Sequence, residues 1–113
     1  MPLLITKTGL SVSPNAAHTG APNYGYGGNT VSEQATGLLQ NINDINTTEL
    51  PTAGVCIHEY LDAWWKFGLE DSYSHDPNDI EEWFGIVQLV PSEYSYNTEY
   101  RYSYNAIKQI WSN

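Results

Sequence analysis

The segment from His58 to Asp62 brings together the residue types of acid–base and metal chemistry. It reads His-Glu-Tyr-Leu-Asp, which has the outline of a zinc-protease motif with Asp62 in place of the second histidine. Zinc chemistry of that kind needs its two ligands one helical turn apart, whereas the apolar run directly upstream, Gly54 to Ile57, is typical of a strand. We therefore predict no metal site and interpret His58 and Glu59 as polar residues at the end of a strand.

The chain is rich in aromatic residues, with four Trp, nine Tyr and two Phe against only four Lys and Arg. Tyrosine and tryptophan present an apolar face with a polar tip, so they gather at interfaces and in ligand clefts as well as in cores. Three aromatics lie beside predicted elements, where we expect core packing: Trp83, Phe84 and Trp111. Four others lie on long loops, where flat rings either contact a ligand or pack the loop onto the sheet: Tyr24, Tyr26, Trp64 and Trp65.

An acidic segment and a single cysteine offer weaker signals. The segment contains Glu70, Asp71, Asp76, Asp79, Glu81 and Glu82. It could supply oxygen ligands to Ca²⁺, but it lacks the fixed alternation and central glycine of an EF-hand loop. Acids are favoured near helix N-termini, so we predict a solvated loop with capping acids. Cys56 lies in an apolar run and is predicted to be a small buried hydrophobe without catalytic function.

Charge and length exclude several classes of protein. Thirteen Asp and Glu against four Lys and Arg give a formal charge of −9, which opposes binding to nucleic acid. The longest apolar run, Gly85 to Val90, is far shorter than the ~20 residues that span a bilayer. Met1 to Leu10 lacks the features of a signal peptide, so we expect a soluble chain with no membrane partner. One cysteine excludes an intramolecular disulfide framework and leaves the compartment open.

Hydrophobic patterning predicts an alternating order of elements in the first half of the chain. Leu3 to Thr6 is a short run of the kind found in strands buried on both faces. A long loop from Ser11 to Asn29 follows it. Thr30 and Glu33 have the spacing of a capping box, and the apolar residues after them recur at helical spacing. Together they predict a helix from Val31 to Ile45.

The second half supplies two more strand candidates and a terminal helix. Gly54 to Ile57 is a second strand of the buried type, so the order strand, helix, strand predicts a parallel pair with a crossover helix. After a second long loop, Leu61 to Glu82, comes a third strand candidate at Gly85 to Val90, whose pattern does not decide its sheet. Tyr104 to Trp111 is predicted to be a short helix. Alternate tyrosines before and within it suggest an extended segment with one exposed row: Tyr94, Tyr96, Tyr100, Tyr102 and Tyr104.

These elements, with the run Leu4-Ile5-Thr6-Lys7-Thr8-Gly9, resemble the C-terminal end of a (β/α)8-barrel glycoside hydrolase of the retaining superfamily with glutamates on strands four and seven. Strand seven of that superfamily often reads as apolar residues followed by Thr-Glu-x-Gly, the Glu being the nucleophile. Trp64-Trp65-Lys66 resembles the aromatic loop after strand eight that helps to floor the sugar cleft. The segment Arg101 to Lys108 is similar to the usual final helix, Arg-Pro-x-Tyr-x-Ala-hydrophobic-Lys, with Tyr102 where proline is typical.

The resemblance implies an α/β fold in which residues 1–113 form a single domain, a partial (β/α)-barrel-like unit corresponding to the last quarter of a barrel. Lys7 stands at the nucleophile position, and the strand that carries the acid/base glutamate lies outside this chain. Retaining hydrolysis needs both carboxyl groups, so we expect no hydrolysis of aryl glycosides by the chain or by Lys7→Glu. No cofactor is implied.

The resemblance also implies an oligosaccharide ligand. Its expected contacts are His58 and Glu59 at the mouth of the cleft and the four aromatic residues of the long loops. Two alternatives stay open. One is a structural module that acts through homo-oligomerisation, because two parallel strands leave unpaired edges. The other is a subunit of a split glycosidase, in which a partner chain supplies the missing barrel strands.

Overall fold

The computed structural model describes residues 1–21, 24–66, 75–92 and 95–112. Their order is β1 (Leu3–Thr8), α1 (Val31–Thr47), β2 (Thr52–Ile57), a 3₁₀ helix (Ile80–Trp83), β3 (Val87–Ser92), β4 (Ser95–Tyr100) and α2 (Tyr102–Trp111). The result is a small mixed α/β domain with a parallel two-stranded sheet, an antiparallel hairpin and two helices. The predicted α/β class is confirmed at this level.

The predicted parallel pair is present. β1 and β2 are paired in parallel, with Leu4 opposite Gly54 and Ile5 opposite Val55, and α1 lies between them in sequence. The third strand candidate also forms, but β3 pairs antiparallel with β4 in a separate sheet. An isolated parallel bridge joins Val87 of β3 to Leu61, in the segment that follows β2.

The capping box fixes the start of α1. The Thr30 hydroxyl accepts from the backbone N–H of Glu33 at 3.1 Å, and the Glu33 carboxylate accepts from the backbone N–H of Thr30 at 3.0 Å. This reciprocal pair satisfies two backbone donors that a helix start leaves without partners. The helix ends at Thr47, two residues beyond the predicted end. Among the described residues, neither helix combines the length and apolar character needed to cross a bilayer.

The hydrophobic core lies where α1, α2 and the start of β3 meet. Its buried members are Leu10, Leu38, Ile42, Ile86, Val87 and Ile107. Half-buried side chains from β2, from α2 and from two loops pack around it: Tyr24, Val55, Ile57, Leu61 and Tyr104. Fully burying one such aliphatic side chain contributes about 1.5–3 kcal/mol, so this cluster is the main apolar source of stability.

A buried ion pair joins three distant segments beside that core. Both Asp62 and Arg101 are buried, and two guanidinium nitrogens donate to the two carboxylate oxygens at 2.6 and 2.7 Å. The backbone N–H of Gly85 donates to the same carboxylate at 2.8 Å, and its carbonyl accepts from Arg101 at 2.6 Å. His75 Nε2 lies 3.1 Å from Asp62 Oδ2. The loop after β2, the approach to β3 and the start of α2 are thereby held at one point.

Gln34 makes the corresponding connection for α1. Its side chain is fully buried, and its amide nitrogen donates to the carbonyls of Leu10 and Gly85, at 3.1 Å in both cases. Its amide oxygen accepts from the Ser103 hydroxyl at 2.8 Å. One polar side chain on the buried face of α1 therefore ties the helix to the end of β1, to the approach to β3 and to α2.

Several predictions of burial were wrong. Leu4 of β1 is 56% exposed and Cys56 is exposed, because α1 covers only one face of the two-stranded sheet. Leu3 lies on the covered side, near Ile45 of α1, and is still 45% exposed. Trp111 is 55% exposed. The buried residues of α2 are Ser103 and Ile107, and the last turn of the helix extends beyond the core.

The predicted tyrosine row is only partly correct. Tyr96 and Tyr100 lie on β4 and are exposed, but Tyr102 and Tyr104 belong to α2, so the extended segment ends earlier than predicted. The rings of Tyr100 and Tyr104 stack across this change of direction, with centroids 3.9 Å apart and planes 5° from parallel. Tyr94 lies outside the described residues.

Removal of the buried cation should destabilise the whole domain. We expect Arg101→Met to lower the free energy of unfolding by about 3–5 kcal/mol, because Asp62 would stay buried without its main counter-charge. Urea unfolding followed by circular dichroism measures the loss. Lys108→Met removes an exposed cation from the same helix and should change stability by less than about 0.5 kcal/mol. An equal effect of the two substitutions would contradict the importance of the pair.

Candidate functional site

The two parallel strands end side by side, and the polar residues predicted to follow β2 are found there. The backbone N–H of His58 donates to the carbonyl of Thr8 at 2.8 Å, which carries the pairing one step beyond the strands. Glu59 is held on its other side, since its N–H donates to the Phe84 carbonyl at 3.1 Å and its carbonyl accepts from Ile86 at 2.9 Å. The peptide bond between His58 and Glu59 is cis. The backbone of this pair is therefore fixed by both neighbouring segments.

His58 is a neutral, half-buried imidazole. Its ring packs on Phe84 with centroids 5.0 Å apart, and its Nε2 atom has no hydrogen-bond partner among the described residues. Burial lowers the pKa of His58 below its usual 6.5; the Glu59 carboxylate opposes this shift, and the positive charges of Lys66 and Lys7 add to it. The lowered pKa disfavours the charged imidazolium at neutral pH, and the Nε2 atom is shielded from solvent.

Glu59 connects the strand end to the aromatic turn after β2. The ammonium of Lys66 donates to both Glu59 carboxylate oxygens, at 3.2 and 3.1 Å. The turn is closed by a bond of 3.0 Å from the Lys66 N–H to the Ala63 carbonyl. Within it, Trp64 and Trp65 pack edge to face, with centroids 5.8 Å apart and planes at 85°. Trp64 is half-buried, while Trp65 leaves 47% of its surface exposed.

Tyr26 approaches the same place from the first long loop. Its ring packs on Phe84 with centroids 4.8 Å apart, and its hydroxyl donates to the Glu81 carboxylate. Burial, followed by the bond to Glu81 and the charges of Glu81 and Asp79, raises the pKa of Tyr26 to about 12. Phe84 is therefore a shared platform for His58 and Tyr26. Tyr24 differs from its neighbour, because it packs against the hydrophobic core.

We define the strand-end cluster as His58, Glu59, Trp65 and Lys66. Sequence reasoning identified the first three but missed Lys66 as the partner of Glu59 and Phe84 as the surface on which the imidazole packs. Lys66 carried a usable signal, because it is one of only four cationic residues in a chain with thirteen acids. Phe84 carried none, because its position beside His58 depends on contacts between residues far apart in sequence.

Lys7, at the end of β1, is exposed. It makes no ion pair with any residue in the part of the chain that the structure describes. Its charge nevertheless acts on His58. The nearby carboxylates already have partners, since Glu59 is paired with Lys66 and Glu81 accepts from Tyr26. This arrangement offers hydrogen-bonding groups around an aromatic face.

Asp76 and Asp79 of the acidic segment cap local turns, whereas Glu82 is fully buried and not solvated as predicted. The Asp79 carboxylate accepts from the Glu81 N–H at 2.9 Å and caps the 3₁₀ helix, as expected for capping acids. The Asp76 carboxylate accepts from the Asn78 N–H at 2.9 Å, so it caps the turn before that helix. Glu70 and Asp71 lie outside the described residues. Within residues 1–21, 24–66, 75–92 and 95–112, no three His, Cys, Asp or Glu side chains converge on a point that could hold a metal.

Comparison of the chain with family models, with curated proteins and with solved structures finds no match. What the strand-end cluster can do therefore follows from its own chemistry. It presents an exposed indole face and a carboxylate paired with an ammonium, beside a half-buried imidazole, all at the end of one strand and the turn after it. Such groups bind a ligand that combines an apolar face with several hydroxyls.

The electrostatics of the cluster can be checked by titrating His58 with NMR. We expect its pKa to lie below 6.5 and to rise in Lys7→Gln, because that substitution removes a positive charge that disfavours the imidazolium. The exposed Lys108→Gln on α2 serves as control and should leave the titration unchanged. The pKa of His58 is lower in the folded than in the unfolded chain. The contribution of His58 to the stability of the fold is therefore fully present above the unfolded pKa and is lost as the pH falls through the folded pKa. An unchanged pKa in Lys7→Gln would contradict the placement of Lys7 near the ring.

Proposed function

We propose that this chain is a glycoside-hydrolase-derived unit without catalysis of its own that binds oligosaccharide at the ends of β1 and β2. The observation that carries the proposal is the placement of Trp65. Its exposed indole lies on a turn that the Lys66–Glu59 pair attaches to the end of β2, directly after His58. An aromatic face and hydroxyl-binding polar groups are thus grouped at the end of one strand.

The rigidity of the turn after β2 also supports oligosaccharide binding. A side chain that is already held in place loses less conformational entropy when a ligand binds, so more of the contact energy becomes affinity. Trp65 is held by the edge of Trp64, and Lys66 by two bonds to Glu59. Tyr26 and His58 both pack on Phe84, which is itself buried.

The absence of catalysis in this proposal depends on the residue at position 7. By its resemblance to strand seven of the hydrolase barrels, the chain carries Lys7 where a glutamate nucleophile would stand. An ammonium cannot form a glycosyl ester, and retaining hydrolysis needs a second carboxyl about 5–5.5 Å from the first. Restoring the glutamate supplies only one member of that pair, so Lys7→Glu is not expected to create an active hydrolase.

A second candidate function, assembly with another chain, is favoured by the open face of the first sheet. Leu4 of β1 and Cys56 of β2 are exposed on that face, and the outer edge of β1 has no partner strand among the described residues. Parallel sheets are usually covered on both faces, and unpaired edges tend to pair with other chains. We propose a homo-oligomer as this alternative; a partner chain that supplies barrel strands would use the same edge.

Oligosaccharide binding should depend on Trp65 and not on tryptophan exposure in general. We expect Trp65→Ala to weaken the binding of soluble neutral oligosaccharides by about 1–2 kcal/mol, a factor of roughly 5 to 30, as for the loss of one aromatic contact. Isothermal titration calorimetry measures the affinity. Trp111→Ala, which removes an equally exposed indole from α2, should bind as the unchanged chain does. Equal affinity of all three proteins would mean that Trp65 is not the sugar platform.

The assembly alternative predicts a mass in solution well above the 12.7 kDa of one chain. We expect light scattering at micromolar concentration to give at least a dimer, because a two-fold axis is the commonest way to pair identical surfaces. Leu4→Lys places a charge on the open face and should shift the mass toward that of one chain. A cooperative thermal transition at 12.7 kDa for the unchanged chain would exclude this candidate.

A further inference from the structure

A cavity of about 470 Å³ lies between the first long loop and α1. Its walls are Gly9, Leu10, Tyr24, Gly25, Tyr26, Gly37, Gln40 and Asn41. None of the four residues of the strand-end cluster lines it, although Tyr26, whose ring packs on Phe84, forms part of its wall. Its volume is within the range of small-molecule binding pockets, about 300–1,000 Å³.

The walls of this cavity are held by buried hydrogen bonds. The side-chain nitrogen of buried Asn29 donates to the carbonyls of Ser11 and Gly25, at 3.0 and 2.9 Å. This pair of bonds fixes the loop on one side of the cavity. The bond from Gln34 to the Leu10 carbonyl, at 3.1 Å, fixes the other side.

Close packing of the helix on the loop adds to this rigidity. A Cβ atom at Gly37 would come within 2.7 Å of the Leu10 side chain and 3.1 Å of the Tyr24 ring. A larger residue at position 37 would require the Leu10 side chain to shift and the Tyr24 ring to give way slightly. The cavity is preformed, so its walls lose little conformational entropy when a ligand binds.

The lining combines aromatic rings with neutral polar groups. Two tyrosines supply ring surface, and Gln40 supplies an exposed amide that can both donate and accept. The Asn41 amide nitrogen donates to the Thr8 hydroxyl at 3.0 Å, which orients the side chain and leaves its carbonyl oxygen as an acceptor. Rings and amides in this combination suit hydroxyl groups carried on a small apolar frame.

The cavity lining carries no charged side chain, which restricts the chemical class of ligand that it can bind. All eight lining residues are neutral, in a chain with thirteen acids and four cations. An anionic or cationic ligand would lose hydration on entering without gaining an opposite charge, which is unfavourable. We infer that this cavity is a second binding site, for a neutral polyhydroxylated ligand of about the size of one sugar ring. The inference does not require that the strand-end cluster binds sugar.

The two sites can be told apart by NMR, because each contains distinctive N–H groups. Titration of the ¹⁵N-labelled chain with glucose should shift the backbone amides of Gly9, Gly25 and Gly37 along one saturable curve. Glucuronate and glucosamine, charged relatives of similar size, should bind at least about tenfold more weakly. The strand-end cluster is followed in the same spectra through the indole N–H of Trp65.

Substitutions at Gln40 test the cavity directly. Gln40→Trp places a large ring at the cavity wall and should abolish the glycine shifts. Gln40→Ala removes one hydrogen-bonding group and should weaken binding about threefold to tenfold. Asn43→Trp, at another exposed position of α1, is the control and should leave the shifts intact. Thermal melts of all variants establish that each is folded.

Each outcome decides between the two sites. Glycine shifts that saturate with glucose and disappear in Gln40→Trp support the cavity site, whether or not the Trp65 indole responds. Shifts of the indole without shifts of the glycines overturn the cavity site and leave the strand-end proposal standing. Glucuronate binding as tightly as glucose overturns the inference that the ligand is neutral.

Discussion

The arrangement of this small domain depends on the buried pair of Asp62 and Arg101. A charge taken out of water costs several kcal/mol unless it is paired and fully hydrogen-bonded, so the chain must bring its partners to one point. Both carboxylate oxygens, two guanidinium nitrogens and both backbone groups of Gly85 are used there. A Cβ at position 85 would lie 2.3 Å from the Asp62 nitrogen, so only glycine allows this approach.

The geometry of the candidate site depends on the packing around the buried pair of Asp62 and Arg101. Gly85 fixes the position of Phe84, whose ring supports His58 and Tyr26 and whose carbonyl accepts from Glu59. Functional side chains at the strand ends are thus held by a buried network that none of them joins. Gln34 extends the same network to α1, which also forms a wall of the cavity next to the first loop. Both proposed sites therefore depend on one set of buried polar contacts.

A second structural feature of the molecule is the open face of the first sheet, which leaves apolar side chains exposed. A parallel pair needs cover on both sides to bury its apolar residues, and α1 supplies cover on one side only. Leu4 and Cys56 are exposed for this reason. An assembly that covers the face would have to leave the strand ends open for sugar to bind.

The local features of this protein could be predicted from its amino-acid sequence. The capping box, the helix after it and two parallel strands separated by that helix were all predicted, because each depends on residues close together in the chain. Placement of His58 and Glu59 at a strand end followed from the apolar run before them. Exposure of Cys56 and Trp111, the pairing of β3 with β4 and the Lys66–Glu59 contact were decided only in the tertiary structure. These features depend on how many layers cover a strand and on which turns meet, and neither is set by a short stretch of sequence.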